Sequence, residues 1–417
     1  MRLHPNIVVH WHRAVVGFLE DVVGPRAISA GYKIERPLSS GQQSFDMHKD
    51  TWPVGEPISK LESATQISGE AKYLDDIPYL PNEVHAALVL TTVAKGQLKN
   101  VDSSEAKKLP GVLDFVTSGD IIGRNSFVVN AAMFSTTLPD PVFVGEEVLY
   151  AGQPVGVIVA KDRDTAVRAA KLVHVQYKGI SSPVLTIEHA RQANRRTPAL
   201  DVVTGTQDPI LLGDFDGTID EASQKLGGEL SLGTQYHMNM EPHSARVVPT
   251  EDGYDVYCTS QWPTETQDVV AQVLDVPPNR INITVRRLGG AFGAKITRQN
   301  LLTAAAAVAA RKLQQPVRLV ADLNTQMSYS GWRESYHASY EAGFDDTGKI
   351  TSLKVELTTD VGHISNESSV SFAVHALQSV YYIPNLLIVP YIATTDTAAN
   401  TWCRTPGLLP LLLYGES

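Results

Sequence analysis

The chain has 417 residues, of which 43% are hydrophobic and 19% charged, and its formal net charge is -10. This is ordinary globular composition with room for two or three domains, and the acidity gives no support for a nucleic-acid partner. The two cysteines, Cys258 and Cys403, exclude a disulfide framework or a thiolate metal site within these residues. No run reaches the roughly 18 apolar residues of a membrane span. We expect a cytoplasmic protein with no membrane partner.

The first part of the chain, residues 1–60, is predicted to be an extended linker or arm. Its stretch "RPLSSGQQSFDMHKDTWPVGEPISKLES" is rich in turn-forming residues and carries Pro53 and Pro57. Such composition is typical of a connecting segment rather than of a packed core.

Residues 61–180 are predicted to form an α/β unit. The pattern reads strand, turn, short helix and strand, and Pro110 ends the helix. It then repeats, with a strand over 156–160, an alanine-rich helix and a strand reaching Tyr177. Strands and helices that alternate at this length favour an α/β arrangement.

Residues 205–417 mix strand-like and helical stretches. "TETQDVVAQVLDV" is predicted to be a helix with Thr264 as its N-cap, and the alanine-rich run "TRQNLLTAAAAVAARKL" is a strong helix. "GELSLGTQYHMNME" and "VRLVADLNTQM" are predicted to be strands, and residues 345–348 a hairpin turn.

A glycine-rich turn, "GGAFGAK" (residues 289–295), lies between a strand and a helix. We call it the glycine loop. Glycines allow close approach of a ligand, and a helix N-terminus favours negative charge. Positive charge is supplied by Lys295, Arg286, Arg287 and Arg298. These features indicate an anionic ligand such as a phosphate or a pterin phosphate.

The glycine loop matches neither common nucleotide motif. It lacks the G-x-G-x-x-G spacing, and Ala294 and Ile296 stand where a Walker A loop needs Gly and Ser/Thr. A tight turn whose glycines serve packing alone is equally consistent with the loop by itself.

Five motifs in fixed order decide between these interpretations. They are "SGEAKYLDDIP", "NVDSSEAKKLPGV", "TQYHMNMEPHSARVV", "TSQWPTETQDVVAQVLDVPPNRINITVRRLGGAFGAK" and "NTWCRTPG". Together they resemble the molybdenum hydroxylase family of aldehyde oxidases and xanthine dehydrogenases over residues 34–407. "NTWCRTPG" and "RPLSSGQQSFD" look most like the insect-type aldehyde oxidases.

The resemblance implies an α+β fold class: an α/β hammerhead domain over 61–180, followed by the first, incomplete molybdopterin-binding domain over 205–417. In this family the molybdenum is held by the sulfurs of a pyranopterin and not by protein side chains. The lack of a Cys/His cluster in the sequence therefore does not argue against the resemblance to this family.

The resemblance also assigns cofactor-binding residues. Gln235 would donate a hydrogen bond to an oxygen on molybdenum, and Phe292 and Gly293 would contact the cofactor through backbone amides. Arg404 would bind the cofactor region through its guanidinium. The competing interpretations are a strand-end amide satisfied by the backbone for Gln235, core packing for Phe292 and a surface ion pair for Arg404.

A metal site in "HMNMEPH" is not predicted. His237, Glu241 and His243 lie on a strand-like run. We expect structural roles for them, and the family has no metal there.

Two positions bear on the substrate. Purine-oxidising relatives carry a glutamate directly after the lysine of the glycine loop and an arginine before "I-P-N", where this chain has Ile296 and Phe372. Loss of charged groups that hold a purine favours an apolar or aromatic aldehyde. The implied reaction is oxidation of the aldehyde to a carboxylic acid, with water as the oxygen source.

The resemblance also implies parts that these residues do not include. The family's catalytic glutamate, in a "G-x-G-E" context, is expected beyond the end of the chain, and the domains for 2Fe-2S clusters and FAD are expected ahead of its start. Full-length members are homodimers. We expect a fragment of an aldehyde oxidase that is inactive alone; a noncatalytic remnant, a purine hydroxylase and a nucleotide-binding α/β protein are the alternatives.

Overall fold

The computed structural model describes residues 49–129, 138–199, 209–377 and 381–408. The chain divides into two compact units, Met1–Ser68 and Gly69–Ser417. The described part of the first unit contains a 3-10 turn at Lys49–Thr51 and a short helix, α1 (Ser63–Ile67). The predicted arm over 1–60 lies mostly outside the described residues and stays a prediction.

The second unit mixes strands with helices. Its described strands are β1 (Val84–Leu90), β2 (Gly96–Asp102), β3 (Val112–Thr117), β4 (Glu147–Val148), β5 (Pro154–Ala160), β6 (His174–Lys178), β7 (Arg196–Pro198), β8 (Ile210–Leu212), β9 (Gln224–Leu232), β10 (Ser244–Pro249), β11 (Tyr254–Cys258), β12 (Ile281–Thr284), β13 (Val317–Val320), β14 (Tyr336–Phe344), β15 (Ile350–Gly362) and β16 (Asn385–Thr394). Its described helices are α2 (Ser104–Lys108), α3 (Arg163–Ala170), α4 (Ile187–Gln192), α5 (Phe215–Glu221), α6 (Pro263–Leu274), α7 (Arg298–Leu313), α8 (Leu323–Tyr329) and α9 (Val370–Ala376). Within the described ranges, no helix is long and apolar enough to cross a membrane.

These strands form three sheets. The orders are β12-β11-β10-β13-β1-β5-β3, then β7-β16-β15-β14-β9 with β8 also pairing β16, and β4-β2-β6. In the first sheet β1 runs parallel to β13, with Val84 opposite Val317. Strands from the predicted 61–180 and 205–417 regions therefore share one sheet, and this continuity fixes the two regions against each other.

Helix α7 is the centre of the main hydrophobic core. Every residue from Arg298 to Ala310 is buried, and the helix packs on the seven-stranded sheet beside α6. A run of alanines suits this position because small side chains allow close packing on all faces, and alanine has the highest helix propensity. The predicted strong helix is confirmed.

Helix α6 begins two residues earlier than an N-cap at Thr264 predicts. Pro263 is its first residue and Trp262 its N-cap, so the prediction of Thr264 as N-cap is wrong. Proline fits the first helical position because its fixed φ is helical and the N–H it lacks would have no intrahelical partner there.

The prediction of a continuous strand over "VRLVADLNTQM" is also wrong. The strand β13 ends at Val320, and α8 follows. Asp322 is the N-cap, and its side chain accepts a hydrogen bond from Thr325 N at 2.7 Å. This local cap outweighs the alternating apolar pattern.

Two predictions in the second sheet had different outcomes. The hairpin between β14 and β15 is confirmed, with Gly348 at φ +83° and Asp345 accepting from Thr347 N. The predicted strand "GELSLGTQYHMNME" stops at Leu232, and only an isolated bridge between Gln235 and Arg333 continues the pairing. The remainder is a loop, and that loop belongs to the candidate site.

Candidate cofactor-binding site

Three segments that are far apart in sequence meet in the second unit. They are the glutamine segment (residues 233–243, after β9), the glycine loop (289–295, before α7) and the arginine segment (400–407, after β16). Backbone hydrogen bonds join them: Glu241 N donates to Gly289 O at 2.9 Å, and Arg404 N donates to Phe292 O at 2.8 Å. Three of the five sequence motifs thus come together.

Gly293 is where the glycine loop packs against the arginine segment. Its φ is +110°, and a Cβ atom added to it would lie 1.8 Å from the carbonyl oxygen of Trp402. Only glycine fits such a contact. The amide of Gly293 donates to Gln261 Oε1 at 3.1 Å. The predicted contact of this amide with a cofactor would have to replace that bond, whereas packing already accounts for the glycine.

Phe292 has an unusual backbone conformation for its residue type. Its φ is +56° and its side chain is 45% exposed, so the alternative of simple core packing does not describe it. A non-glycine residue in the left-handed region carries a strain of order 1 kcal/mol, and such strain clusters at ligand sites. The predicted cofactor contact, which is through the backbone amide of Phe292, stays a prediction.

His237 ties the glutamine segment to the arginine segment. Its Nε2 lies 2.8 Å from Trp402 O, and since a carbonyl only accepts, Nε2 carries the proton. The ring is buried, which lowers its pKa and keeps it neutral at pH 7. Its Nδ1 is a buried acceptor without a hydrogen-bond partner among the described residues. The predicted structural role of His237 therefore has a defined contact.

Glu241 and Lys295 form an ion pair inside the protein. Lys295 is fully buried, its Nζ lies 2.9 Å from Glu241 Oε2, and the same oxygen accepts from Gly289 N at 2.7 Å. Burial lowers the pKa of Lys295, although Glu241 opposes the shift. The prediction that Lys295 offers its charge to an anionic ligand is wrong, because Glu241 already neutralises it.

Arg298 is also unavailable to a ligand. It is buried at the start of α7, where Nη1 donates to Asp140 Oδ2 at 3.0 Å and Nε donates to Glu367 Oε1 at 2.9 Å. Glu367 also accepts from the hydroxyl groups of Thr297 and Thr401. The protein's own carboxylates thus neutralise the Arg298 charge that the sequence suggested for a phosphate.

Gln235 is exposed but its side chain is fixed at one end. Arg333 Nε donates to Gln235 Oε1 at 2.8 Å, and Arg333 N donates to Gln235 O at 2.9 Å. The oxygen end of the amide therefore faces Arg333. The nitrogen end is the donor that remains for a ligand, as the predicted role of Gln235 requires.

Arg404 contributes in two ways. Its backbone N–H bonds the glycine loop, and its carbonyl oxygen accepts from Arg333 Nη2 at 2.7 Å. Its side chain is exposed, so the guanidinium is accessible to a ligand. The predicted contact between the Arg404 guanidinium and the cofactor stays a prediction. The hydrogen bonds of the Arg404 backbone hold the residue in place for such a contact.

The two predicted substrate residues lie on segments that touch. Ile296 is half-buried, and Phe372 is 42% exposed on α9. The hydroxyl of Thr297, next to Ile296, bonds Glu367, which lies just before α9. A Cβ atom on Gly407 would come within 3.0 Å of Phe372 Cβ, so the arginine segment packs against the same helix.

Sequence reasoning missed Arg333 and Trp402, which hold the segments together. Trp402 lies inside the quoted "NTWCRTPG", but it contacts His237 and Gly293 through its backbone carbonyl oxygen. Because every residue type has such an oxygen, the sequence does not reveal these contacts. Arg333 lies outside the quoted motifs, and only its place just before β14 could have suggested pairing with the end of β9.

The described residues fit a molybdopterin group. In the described ranges there is no group of three or more His, Cys, Asp or Glu that could hold a metal. The oriented amide of Gln235 and the exposed guanidinium of Arg404 are hydrogen-bond donors suited to the oxygens and phosphate of a pterin. His237 Nδ1 adds an unsatisfied acceptor.

Family models match most of the chain. Residues 201–417 match the molybdopterin cofactor-binding domain, and residues 68–180 match the aldehyde oxidase and xanthine dehydrogenase a/b hammerhead domain.

Curated relatives include both kinds of enzyme. The chain is 34% identical to a xanthine dehydrogenase of Oryza sativa subsp. japonica over 97% of its length and 35% identical to a xanthine dehydrogenase/oxidase of Gallus gallus over 92%. It is 34% identical to probable aldehyde oxidase 1 of Oryza sativa subsp. japonica over 89%. The chain spans only 29%, 28% and 27% of these relatives' own lengths.

Solved structures share the fold. The aldehyde oxidoreductase of Desulfovibrio gigas matches with a TM-score of 0.75 at 21% identity, over 85% of this chain and 40% of that one. Quinoline 2-oxidoreductase of Pseudomonas putida 86 matches with a TM-score of 0.71 at 22% identity, over 84% and 45%. The predicted fold class, a hammerhead domain followed by a molybdopterin-binding domain, is confirmed. The chain belongs to the molybdenum hydroxylase family of xanthine dehydrogenases and aldehyde oxidases, whose members are molybdenum-containing oxidoreductases.

Proposed function

We propose that this chain is the molybdopterin-binding portion of an enzyme that oxidises aldehydes to carboxylic acids with water as the oxygen source. The observation that carries the proposal is the meeting of the glutamine segment, the glycine loop and the arginine segment around donors that face outward. Since the chain spans 29% of its rice relative, the activity is that of a longer protein.

The cofactor, when bound, supplies the redox chemistry. The four proposed cofactor-binding residues bind and orient it. Gln235 donates from its amide nitrogen to an oxygen of the bound group, and Arg404 supplies positive charge for its anionic part. Phe292 lies on the exposed side of the glycine loop, and Gly293 lets that loop close on Trp402. The chain's residues thus bind and orient, while the base belongs to the family glutamate beyond these residues.

Aldehydes are favoured over purines by two apolar side chains. Ile296 and Phe372 stand where the purine-oxidising branch carries a glutamate and an arginine, and segments next to both are joined through Glu367. Apolar side chains at these two positions leave the polar edge of a purine unpaired, which costs affinity. Because the relatives include xanthine dehydrogenases, a purine hydroxylase remains the nearest alternative.

The other partners follow from the same proposal. FAD and 2Fe-2S clusters would accept the electrons in the longer protein, which would be a cytoplasmic homodimer. A noncatalytic remnant that keeps the fold is the second candidate. A nucleotide-binding protein is disfavoured because Lys295 and Arg298 are both buried against carboxylates.

Expression in a host that makes molybdopterin tests the proposal. Pterin is measured by fluorescence after oxidation, molybdenum by mass spectrometry and ATP binding by equilibrium dialysis. We expect pterin to copurify and ATP not to bind. A folded chain free of pterin would favour the remnant, and ATP binding would favour a nucleotide site.

A further inference from the structure

We propose that Arg333 is a positioning residue that sets the orientation of the Gln235 amide and couples it to the arginine segment. The inference rests on the proposed function, because the ligand of that amide is the molybdopterin group. Its geometric part, however, can be tested on the chain without any cofactor.

Arg333 is placed between the two segments by its own backbone. It lies just before β14 and is only 7% exposed, and the isolated bridge to Gln235 includes the bond from Arg333 N to Gln235 O. One residue earlier, Trp332 O accepts from Thr401 N at 2.9 Å. The backbone of Trp332 and Arg333 therefore bonds the arginine segment through one residue and the glutamine segment through the other.

The guanidinium of Arg333 likewise contacts both the glutamine segment and the arginine segment. Nε donates to Gln235 Oε1 at 2.8 Å, and Nη2 donates to Arg404 O at 2.7 Å. Nη1 lies 3.4 Å from Thr405 O, a longer contact to the same segment. One planar group thus holds the side chain of Gln235 and two consecutive carbonyl oxygens of the arginine segment.

The direction of the Gln235 amide follows from donor chemistry. A guanidinium carries only donors, so the group that faces Arg333 must be the amide oxygen and not the nitrogen. The two N–H bonds of Gln235 then point away from Arg333. Without Arg333, the amide could rotate by 180° and present its oxygen to the ligand, which would replace attraction with repulsion.

Arginine suits this place better than lysine. A lysine ammonium is a compact point charge that lacks the fixed planar spacing of the fork. It could reach the amide oxygen or the carbonyl of Arg404, but would not hold both in one plane. Arg333→Lys should therefore rescue the function only in part, whereas Arg333→Met should abolish the positioning.

A cofactor-free measurement tests the geometry. In protein labelled with 15N-glutamine, the side-chain NH2 signals of Gln235 are assigned by their loss in Gln235→Met. We expect Arg333→Met to move these signals toward those of exposed glutamines and Arg333→Lys to move them partway. Arg246→Met is the matched control, because Arg246 is also buried but bonds Pro78 O, away from the site. Unchanged Gln235 signals in folded Arg333→Met would overturn the inference.

A double-mutant cycle tests the coupling to ligand. Molybdopterin retained by the loaded chain through gel filtration is measured for Arg333→Met, Gln235→Met and the pair. Each single change should lower retention about threefold to tenfold, as one hydrogen bond does, and the pair should lose no more than Gln235→Met alone. Losses that multiply would contradict action through Gln235. If the unaltered chain binds no molybdopterin, the proposed function fails, and the NMR result still decides the role of Arg333.

Discussion

Lys295 lies 2.9 Å from Glu241 in the interior of the protein, so that the two charges neutralise each other. A lysine in a glycine loop invites comparison with phosphate-binding loops. Here, however, the lysine is buried and holds the loop against the glutamine segment. Because Glu241 also accepts from Gly289 N, the pair fixes both ends of the glycine loop to the glutamine segment.

Lys295→Met should therefore reduce stability rather than anion binding. Removal of one partner leaves a buried charge uncompensated, which costs about 3–5 kcal/mol. Urea unfolding measures the loss. The pair Lys295→Met with Glu241→Met should recover part of it, and Arg286→Met, at an exposed position, should cost little. A Lys295→Met chain that keeps its stability would refute the structural role.

Gly293→Ala should prevent the glycine loop from closing on Trp402. The methyl group would meet a backbone oxygen at 1.8 Å, and the φ of +110° is unfavourable for alanine. We expect a loss of about 2 kcal/mol or more in the free energy of unfolding, together with reduced pterin binding.

Gly348→Ala is the matched control for Gly293→Ala. It shares a positive φ, +83°, but has open space around its added Cβ. It should cost about 1 kcal/mol, the strain alone, and leave pterin binding unchanged. Equal effects of the two substitutions would mean that the contact with Trp402 contributes nothing.

Much of the fold could be predicted from the sequence, since α7 and the β14–β15 hairpin follow from strong local signals. The failures also have local causes. Asp322 caps a helix where alternation favoured a strand, and Pro263 starts α6 ahead of Thr264.

The candidate site was less accessible to sequence reasoning. Motifs identified Gln235 and the glycine loop, but the contacts of Arg333 and the carbonyl of Trp402 depend on which strand ends meet in space. The burial of Lys295 depends equally on tertiary packing, and residue type alone suggested the opposite role.

Glu265→Gln should change how stability depends on pH. Glu265 is 5% exposed on α6, and burial, with the charge of Glu367 adding to it, raises the pKa of its carboxyl from 4.5 to about 8. The folded state therefore binds more protons between these values. The contribution of Glu265 to the stability of the unaltered chain is full below pH 4.5 and is lost as pH rises through about 8.

The glutamine variant should flatten this profile by up to about 1.4 kcal/mol per pH unit across the window. Urea midpoints from pH 5 to pH 9 measure it, and the difference between the two proteins removes contributions from other buried carboxyls such as Glu334. Glu251→Gln, at an exposed position, should leave the profile as it is. Parallel profiles for the chain and Glu265→Gln would exclude the proposed titration.

Ile296→Glu should shift ligand preference toward purines. The new carboxylate would supply the polar partner that the half-buried isoleucine lacks. On molybdopterin-loaded chain, we expect hypoxanthine to bind about tenfold more tightly and an aromatic aldehyde more weakly, as equilibrium dialysis would measure. Ile296→Leu, which keeps an apolar side chain, should change neither. If purine binding does not depend on residue 296, this residue does not line the substrate pocket.

Hydrogen–deuterium exchange of the chain with and without molybdopterin is the decisive test that the three segments form one cofactor site. We expect slowed exchange in the glutamine segment, the glycine loop and the arginine segment together, with little change in the β14–β15 hairpin. Protection confined to other regions, or none in a chain that is folded and exposed to the cofactor, would contradict it.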